Sequence, residues 1–278
     1  MSDIDQLLDE ALEAVSRVSL RYPYKLTAFS PVRGDLYKGD LMVVGRAVNG
    51  WGNGWLADEA KEPSKRRSII DQVKSTAWAV DCCPMSWVRR DWDQRYICEG
   101  ETCGESFIQK TEVCPKCGGN RIKRAYCTAT SAFWRVIRAV TQKLAIANPD
   151  RDENLTWPSF LYWTDLYKIS PEAGGNPTTA LIAAQQNACE RMLKEEIAQA
   201  VPKRILFLTG WDWARPFLAC LGVQDAPPRQ GHVTFCGKLQ LALEQEALVV
   251  VAPHPQAKPE GEIVEEIIGA FQNLENGM

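Results

Sequence analysis

DLMVVGRAVNGWGNGW (residues 40–55) runs from a short apolar strand, 40–45, straight into a glycine-rich turn. An unbroken apolar run of this length, without alternation, suits a strand buried on both faces. Three later segments repeat the pattern: SFLYWTD (159–165), RILFLTG (204–210) and LVVVAPHP (248–255). Helical patterns fall between and around them. Ile4, Leu7, Leu8, Leu12, Val15 and Val18 recur at helical spacing over 3–19. Further helices are expected at about 130–146, after Asn176-Pro177, from Trp211, and near 260–272. Short buried strands alternating with helices imply an α/β fold, three layers α-β-α around a mainly parallel sheet. Ligands of such sheets bind beyond the carboxyl ends of the strands. Gly45–Trp55, Asp165–Pro177, Gly210–Trp213 and Pro253–Gln256 should therefore converge on one cleft.

The chain of 278 residues can bury one large core, or one core and a small satellite. No apolar run approaches the roughly 20 residues that span a bilayer, and the acidic start is unlike a signal peptide. A cytoplasmic monomer without a membrane partner is expected. The net charge of −3 hides an uneven distribution. Residues 1–14 carry five acids and no base, and residues 258–278 carry −4, which leaves +6 between them. A basic body with acidic ends is compatible with DNA as a partner; an ordinary solvated surface explains it equally.

Ten cysteines in a chain of this kind argue for thiols and metal rather than disulfides. Cys98, Cys103, Cys114 and Cys117 form C-x4-C-x10-C-x2-C, and Cys114-Pro-Lys-Cys117-Gly-Gly has the form of a metal knuckle. Four thiolates suit one tetrahedral zinc, which a ribbon this small would need in order to fold. A closed four-sulfur site has a structural role; iron in the same site is the alternative. Cys82, Cys83, Cys127, Cys189, Cys220 and Cys236 show no such order. The expected organisation is an α/β domain of 1–91 and 128–278, with the ribbon, 92–127, inserted. Arg89, Arg90, Arg95, Arg121, Lys123 and Arg124 around the ribbon offer a nucleic-acid contact, though acids interleave them.

The segment YWTDLYKISPEAGGNP (162–177) resembles a motif of the uracil-DNA glycosylase superfamily, read roughly T-N-V-V-K-C-R-P-x-x-N-R-x-P in its thermophile type. Thr164, Lys168 and Pro171 fall in matching places. ACERMLKEEIAQAVPKRILFLTG (188–210), the strand and His-Pro at 248–255, and VVGRAVNGWG (43–52) resemble three further segments in the right order. The resemblance covers most of the chain outside 92–127. It implies a DNA glycosylase that flips a nucleotide and hydrolyses its N-glycosidic bond. On that reading His254 stabilises the anionic leaving base, Asn49 is a second catalytic and base-binding candidate, and Trp51 is available to stack on the base. Lys168 and Lys258 are the expected DNA contacts.

The departures from the family pattern carry the specificity expectation. Ala47 stands where one family type has a water-positioning Asp. Asn49 stands where uracil-specific members have a Tyr that blocks C5, and Asp165 stands where they read uracil with Asn. An ionised carboxylate only accepts hydrogen bonds, so Asp165 suits the amino group of cytosine. Asn49 would leave room for a C5 substituent. The expected substrate is a modified cytosine of the phage type. Asp165 could instead cap or pair with Lys168, and then the base-reading role is lost. Only Cys189 matches the thermophile type's cluster cysteines, with Ile169 replacing another, so no iron–sulfur cluster is expected. Two further readings stay open: a nucleic-acid-binding module that keeps the fold without catalysis, and hydrolysis of free nucleosides or nucleotides.

Overall fold

Alternate residues of each central strand enter two different cores. Met42, Val44, Ile205, Phe207, Val249 and Val251 join one core, whereas Leu41, Val43, Leu206, Leu208, Val250 and Ala252 join the other. Both pleat faces are therefore covered, and apolar residues fill consecutive positions. The computed structural model describes residues 3–19, 24–48, 51–78, 85, 87–88, 92, 96–100, 103–107, 109–124, 126–147, 157–223, 231–242 and 245–277.

The described helices are α1 (Asp3–Ser16), α2 (Pro63–Trp78), α3 (Ala132–Lys143), α4 (Thr179–Ala200), α5 (Trp211–Cys220) and α6 (Glu260–Glu275). The strands are β1 (Leu26–Ala28), β2 (Val32–Arg33), β3 (Leu41–Ala47), β4 (Tyr96–Cys98), β5 (Ser106–Phe107), β6 (Ile122–Arg124), β7 (Leu161–Tyr167), β8 (Ile169–Pro171), β9 (Arg204–Leu208), β10 (Phe235–Ala242) and β11 (Gln245–Ala252). The main sheet has the order β10-β11-β9-β3-β7-β2. Its inner pairs, β11 with β9, β9 with β3, and β3 with β7, are all parallel. The two edge strands, β10 and β2, pair antiparallel.

Residues of α1, α2, α4 and α5 cover one face of this sheet, and those of α3 and α6 cover the other. From β3 the chain passes to β7 on one side, then returns to β9 on the other. The order reverses between β3 and β9, which is where an open sheet offers a crevice to a ligand. Among the described residues, no helix is long and apolar enough to cross a membrane.

Differences from expectation have local causes. Helix α2 was not among the expected helices; its first turn opens on Pro63, a residue suited to that position. The strand expected at 159–165 starts two residues later because Trp157–Phe160 forms a tight 3-10 turn. Strand β10 went unread because its Lys238 and Gln240 alternate with Leu239 and Leu241, the pattern of an edge strand rather than a buried one. β4, β5 and β6 make a separate three-stranded antiparallel sheet, order β5-β4-β6, and this sheet carries the cysteine motif.

The acidic ends fold back onto the basic body. Asp9 pairs with Arg66, Asp5 with Lys74 and Glu10 with Arg191. At the other end Glu260 pairs with Arg135, Glu265 with Lys143 and Glu275 with Arg204. Six cations of the basic body are thus paired in three dimensions with acids of the two ends.

Candidate functional site

The carboxyl ends of the four parallel strands meet through specific bonds. Gly45 and Asp165 are paired in the β3–β7 register. Arg46 Nε donates to the Thr209 carbonyl at 2.6 Å, tying the end of β3 to that of β9. The Gly210 N–H donates to the Ala252 carbonyl at 2.9 Å, tying β9 to β11. Gly54 N–H donates to Glu172 Oε1 at 2.9 Å, and the Ser170 hydroxyl donates to the Val48 carbonyl, so the turn after β3 is held against the loop after β7.

Asp165 is almost fully buried, at 3% exposure. A Cβ built on Gly45 would fall 2.1 Å from Asp165 Oδ1 and 3.5 Å from Phe133 Cζ, so the glycine makes room for the carboxyl group. Among the described residues, Asp165 Oδ2 has no hydrogen-bond partner. Burial pushes the Asp165 carboxyl up to about 7; nearby Lys168 opposes the shift and Glu196 adds to it. A buried oxygen without a partner is costly in a folded protein and marks a place where a ligand can bond.

Lys168 does not spend itself on that carboxylate. Its Nζ lies 2.8 Å from Glu196 Oε1 and donates to Thr164 Oγ1 and to the Asp165 backbone carbonyl, each at 2.6 Å. Thr164 donates in turn to Glu196 Oε2 at 2.7 Å. Lys168 and Glu196 are both fully buried. The expected DNA contact at Lys168 is therefore corrected: its ammonium is sealed inside the fold, where a phosphate cannot reach it, and it supports β7 from beneath. Lys258 is exposed, four residues past His254, where its position leaves it accessible.

His254 follows β11 and is half-buried. Its ring lies nearly parallel to that of Phe133, centroids 6.0 Å apart. Burial, helped by the positive charge of Arg46, lowers its pKa, so the ring is neutral at pH 7. The Gln256 N–H donates to Nδ1 at 3.3 Å, which leaves the proton on Nε2 as a hydrogen-bond donor. Phe133 thus touches both groups singled out from sequence, His254 and the neighbourhood of Asp165. No sequence signal distinguished Phe133 beyond its place at the start of α3. Arg46 was likewise unremarked, although it follows Gly45 directly.

Trp51 is half-buried and meets Phe29, Trp87 and Trp163 edge to face, with centroids 5.4–5.6 Å apart. Its ring belongs to an aromatic wall beside the cleft. Trp211 packs on Phe235 and Trp213 on Tyr167, as expected of residues that begin a helix. Asn49 lies outside the described residues, as do Arg89, Arg90, Arg95, Cys82 and Cys83.

The sulfurs of Cys98, Cys103, Cys114 and Cys117 all lie within 4.8 Å of one another. Cys98–Cys117 and Cys103–Cys114 are each separated by 3.6 Å. A tetrahedral ion about 2.3 Å from each sulfur separates them by about 3.8 Å, so the four could hold one metal ion such as zinc. Gly100 and Gly119 donate backbone N–H groups to Cys98 and Cys117. N–H groups of Cys117 and Lys116 bring the Cys114 thiol down to about 7. Gly118, at φ 70°, supplies the left-handed turn of the knuckle.

Comparison of the chain with protein-family models and with curated proteins finds no match to either.

Proposed function

We propose that this protein is a DNA glycosylase with a uracil-DNA glycosylase-like fold, which extrudes a nucleotide and hydrolyses its N-glycosidic bond. The observation that carries the reading is the buried Asp165 carboxyl group, with one oxygen unpartnered, beside Gly45 and close to Phe133. A flat base edge with both donor and acceptor capacity would satisfy it, and the Phe133 ring offers a face for stacking. The neutral His254, with Nε2–H available, would donate to the base oxygen on which negative charge develops. Asp165 favours a base with an exocyclic amino group, so the substrate class is cytosine bearing a C5 substituent. Lys258 would contact the DNA backbone, and Asn49 would lie on the C5 side. The four-cysteine cluster holds zinc, which stabilises the small sheet and takes no part in the chemistry.

A second reading is hydrolysis of a free nucleotide. It is favoured over a binding module by the pairing of the acidic ends with the basic body, which removes charge that a DNA surface would use. The test is incubation with duplexes carrying uracil, cytosine or C5-hydroxymethyl and glucosylated cytosine, followed by alkaline strand scission. Scission at a modified cytosine is expected, and His254→Ala should lower the rate about 10²–10³-fold, the effect of losing one anion-stabilising donor. Release of uracil alone would refute the cytosine assignment. Release from no duplex would refute the glycosylase.

A further inference from the structure

Beyond helping to keep His254 neutral, Arg46 has no contact assigned in the reading above, yet its placement is unusual. Among the described residues, Nε alone makes a hydrogen bond, to the Thr209 carbonyl. The guanidinium carbon sits 5.4 Å from the Trp213 ring centroid. Nη2 lies 3.6 Å from the point where a Cβ on Gly210 would stand, and the same point is 4.0 Å from Pro253 Cα. The group therefore occupies the junction of β3, β9 and β11, at the reversal of strand order. Burial lowers its pKa with no carboxylate acting against the shift, and among the described residues no ion pair involves it. Arginine stays charged in such surroundings. A half-buried cation without a counter-charge is unfavourable unless an anion joins it.

The geometry suits one kind of anion. Among the described residues neither Nη group has a hydrogen-bond partner, and the planar fork matches phosphate oxygens in a bidentate manner. Gly210 precedes α5 and has no side chain to cap it, so backbone N–H groups at that helix start stay open, with Asp212 as the acid of its first turn. We infer that Arg46 binds a phosphate group of the ligand in the crevice between β3 and β9. The inference rests on the nucleotide reading of that crevice for the identity of the anion. The phosphate belongs either to a DNA backbone or to a free nucleotide.

The test compares the full-length wild type with Arg46→Gln and Arg46→Lys, each checked for an unchanged thermal melt. Calorimetry measures deoxycytidine and its 3′- and 5′-monophosphates. Anisotropy measures a short duplex with a tetrahydrofuran abasic analogue over a range of salt. Arg46→Gln should lose about ten- to a hundred-fold in affinity for the phosphate-bearing probe and nothing for deoxycytidine. Loss on the free monophosphates assigns a nucleotide phosphate. Loss on the duplex alone, with a salt slope smaller by about one, assigns a backbone phosphate. Should Arg46→Gln melt early, Arg46→Lys carries the test, with a smaller loss because the charge remains and the fork does not.

Equal affinities of wild type and variants on every phosphate-bearing probe would overturn the inference. The two readings fail separately. A phosphate effect without base release from any duplex removes the glycosylase and keeps Arg46. Base release without a phosphate effect does the reverse.

Discussion

At Asp165 the chemistry follows from burial. Its carboxyl group, pushed up to about 7 from an ordinary 3.8, keeps its proton in the fold after the unfolded chain has lost it. The stability this represents is fully present below about pH 4 and is lost as pH rises through 7. On the order of 4 kcal/mol is involved. Asp165→Asn should flatten this dependence, so the variant should match the wild type near pH 4 and exceed it at pH 8. Thermal melts across that range check it; parallel curves would show that Asp165 titrates normally. Above pH 7 the same substitution should move base preference toward uracil, because the amide donates where the ionised carboxylate cannot. Gly45 belongs to this site as much as Asp165 does, since any side chain there would displace the carboxyl group.

At the scale of elements, two supports hold the site and its neighbour. Beneath β7, Thr164, Lys168 and Glu196 bond one another inside the fold. Gln185 of α4 donates to and accepts from the Ile169 backbone, fixing the loop that follows. The small sheet β5-β4-β6 has two- and three-residue strands, with Tyr96 stacked on Phe107 as its main apolar contact. So little buried surface cannot hold a fold without a metal. Purified protein should contain about one zinc per chain, and Cys114→Ser should lose it together with solubility. Elemental analysis checks both; well-folded protein without metal would refute the zinc assignment. The main sheet should keep its own transition, because its two cores draw nothing from the cysteine cluster.

The whole molecule brings together charges that the chain keeps apart. Arg66 is nearly buried against Asp9 and also bonds the carbonyls of Ala60 and Lys61, so α1 is locked to α2 by more than a surface pair. The remaining pairs are more exposed, and each contributes at most about 1 kcal/mol. Their larger effect is on the field. With six cations of the body paired to acids of the end helices, fewer are available to phosphates, so duplex binding should depend weakly on salt. A log–log slope no steeper than about −3 is expected for undamaged duplex, equivalent to roughly three phosphate contacts. Anisotropy between 50 and 200 mM salt measures it; a slope near −6 would mean that the acidic helices release the surface on binding.

How far the sequence reached can be stated residue by residue. The unbroken runs at 41–44, 205–208 and 248–252 determined a sheet covered on both faces, because only doubly buried strands need apolar residues at every position. The spacing of Cys98, Cys103, Cys114 and Cys117 pointed to a cluster that could hold a metal ion, because two close pairs of thiolates suit one ion. His254 was legible as a strand-end histidine next to proline. What pairs with what was decided only by tertiary structure. Lys168 looked like a free cation, and it is buried on Glu196 of α4, twenty-eight residues further along the chain. Asp165 had two readings, and only the three-dimensional arrangement gives Lys168 another partner and leaves Oδ2 open. Arg46 and Phe133 carry no motif; they matter because strand order brings Gly45, Gly210 and Pro253 around them. Periodicity and spacing record which faces are buried, but which side chains share a space depends on contacts between segments that are distant along the chain.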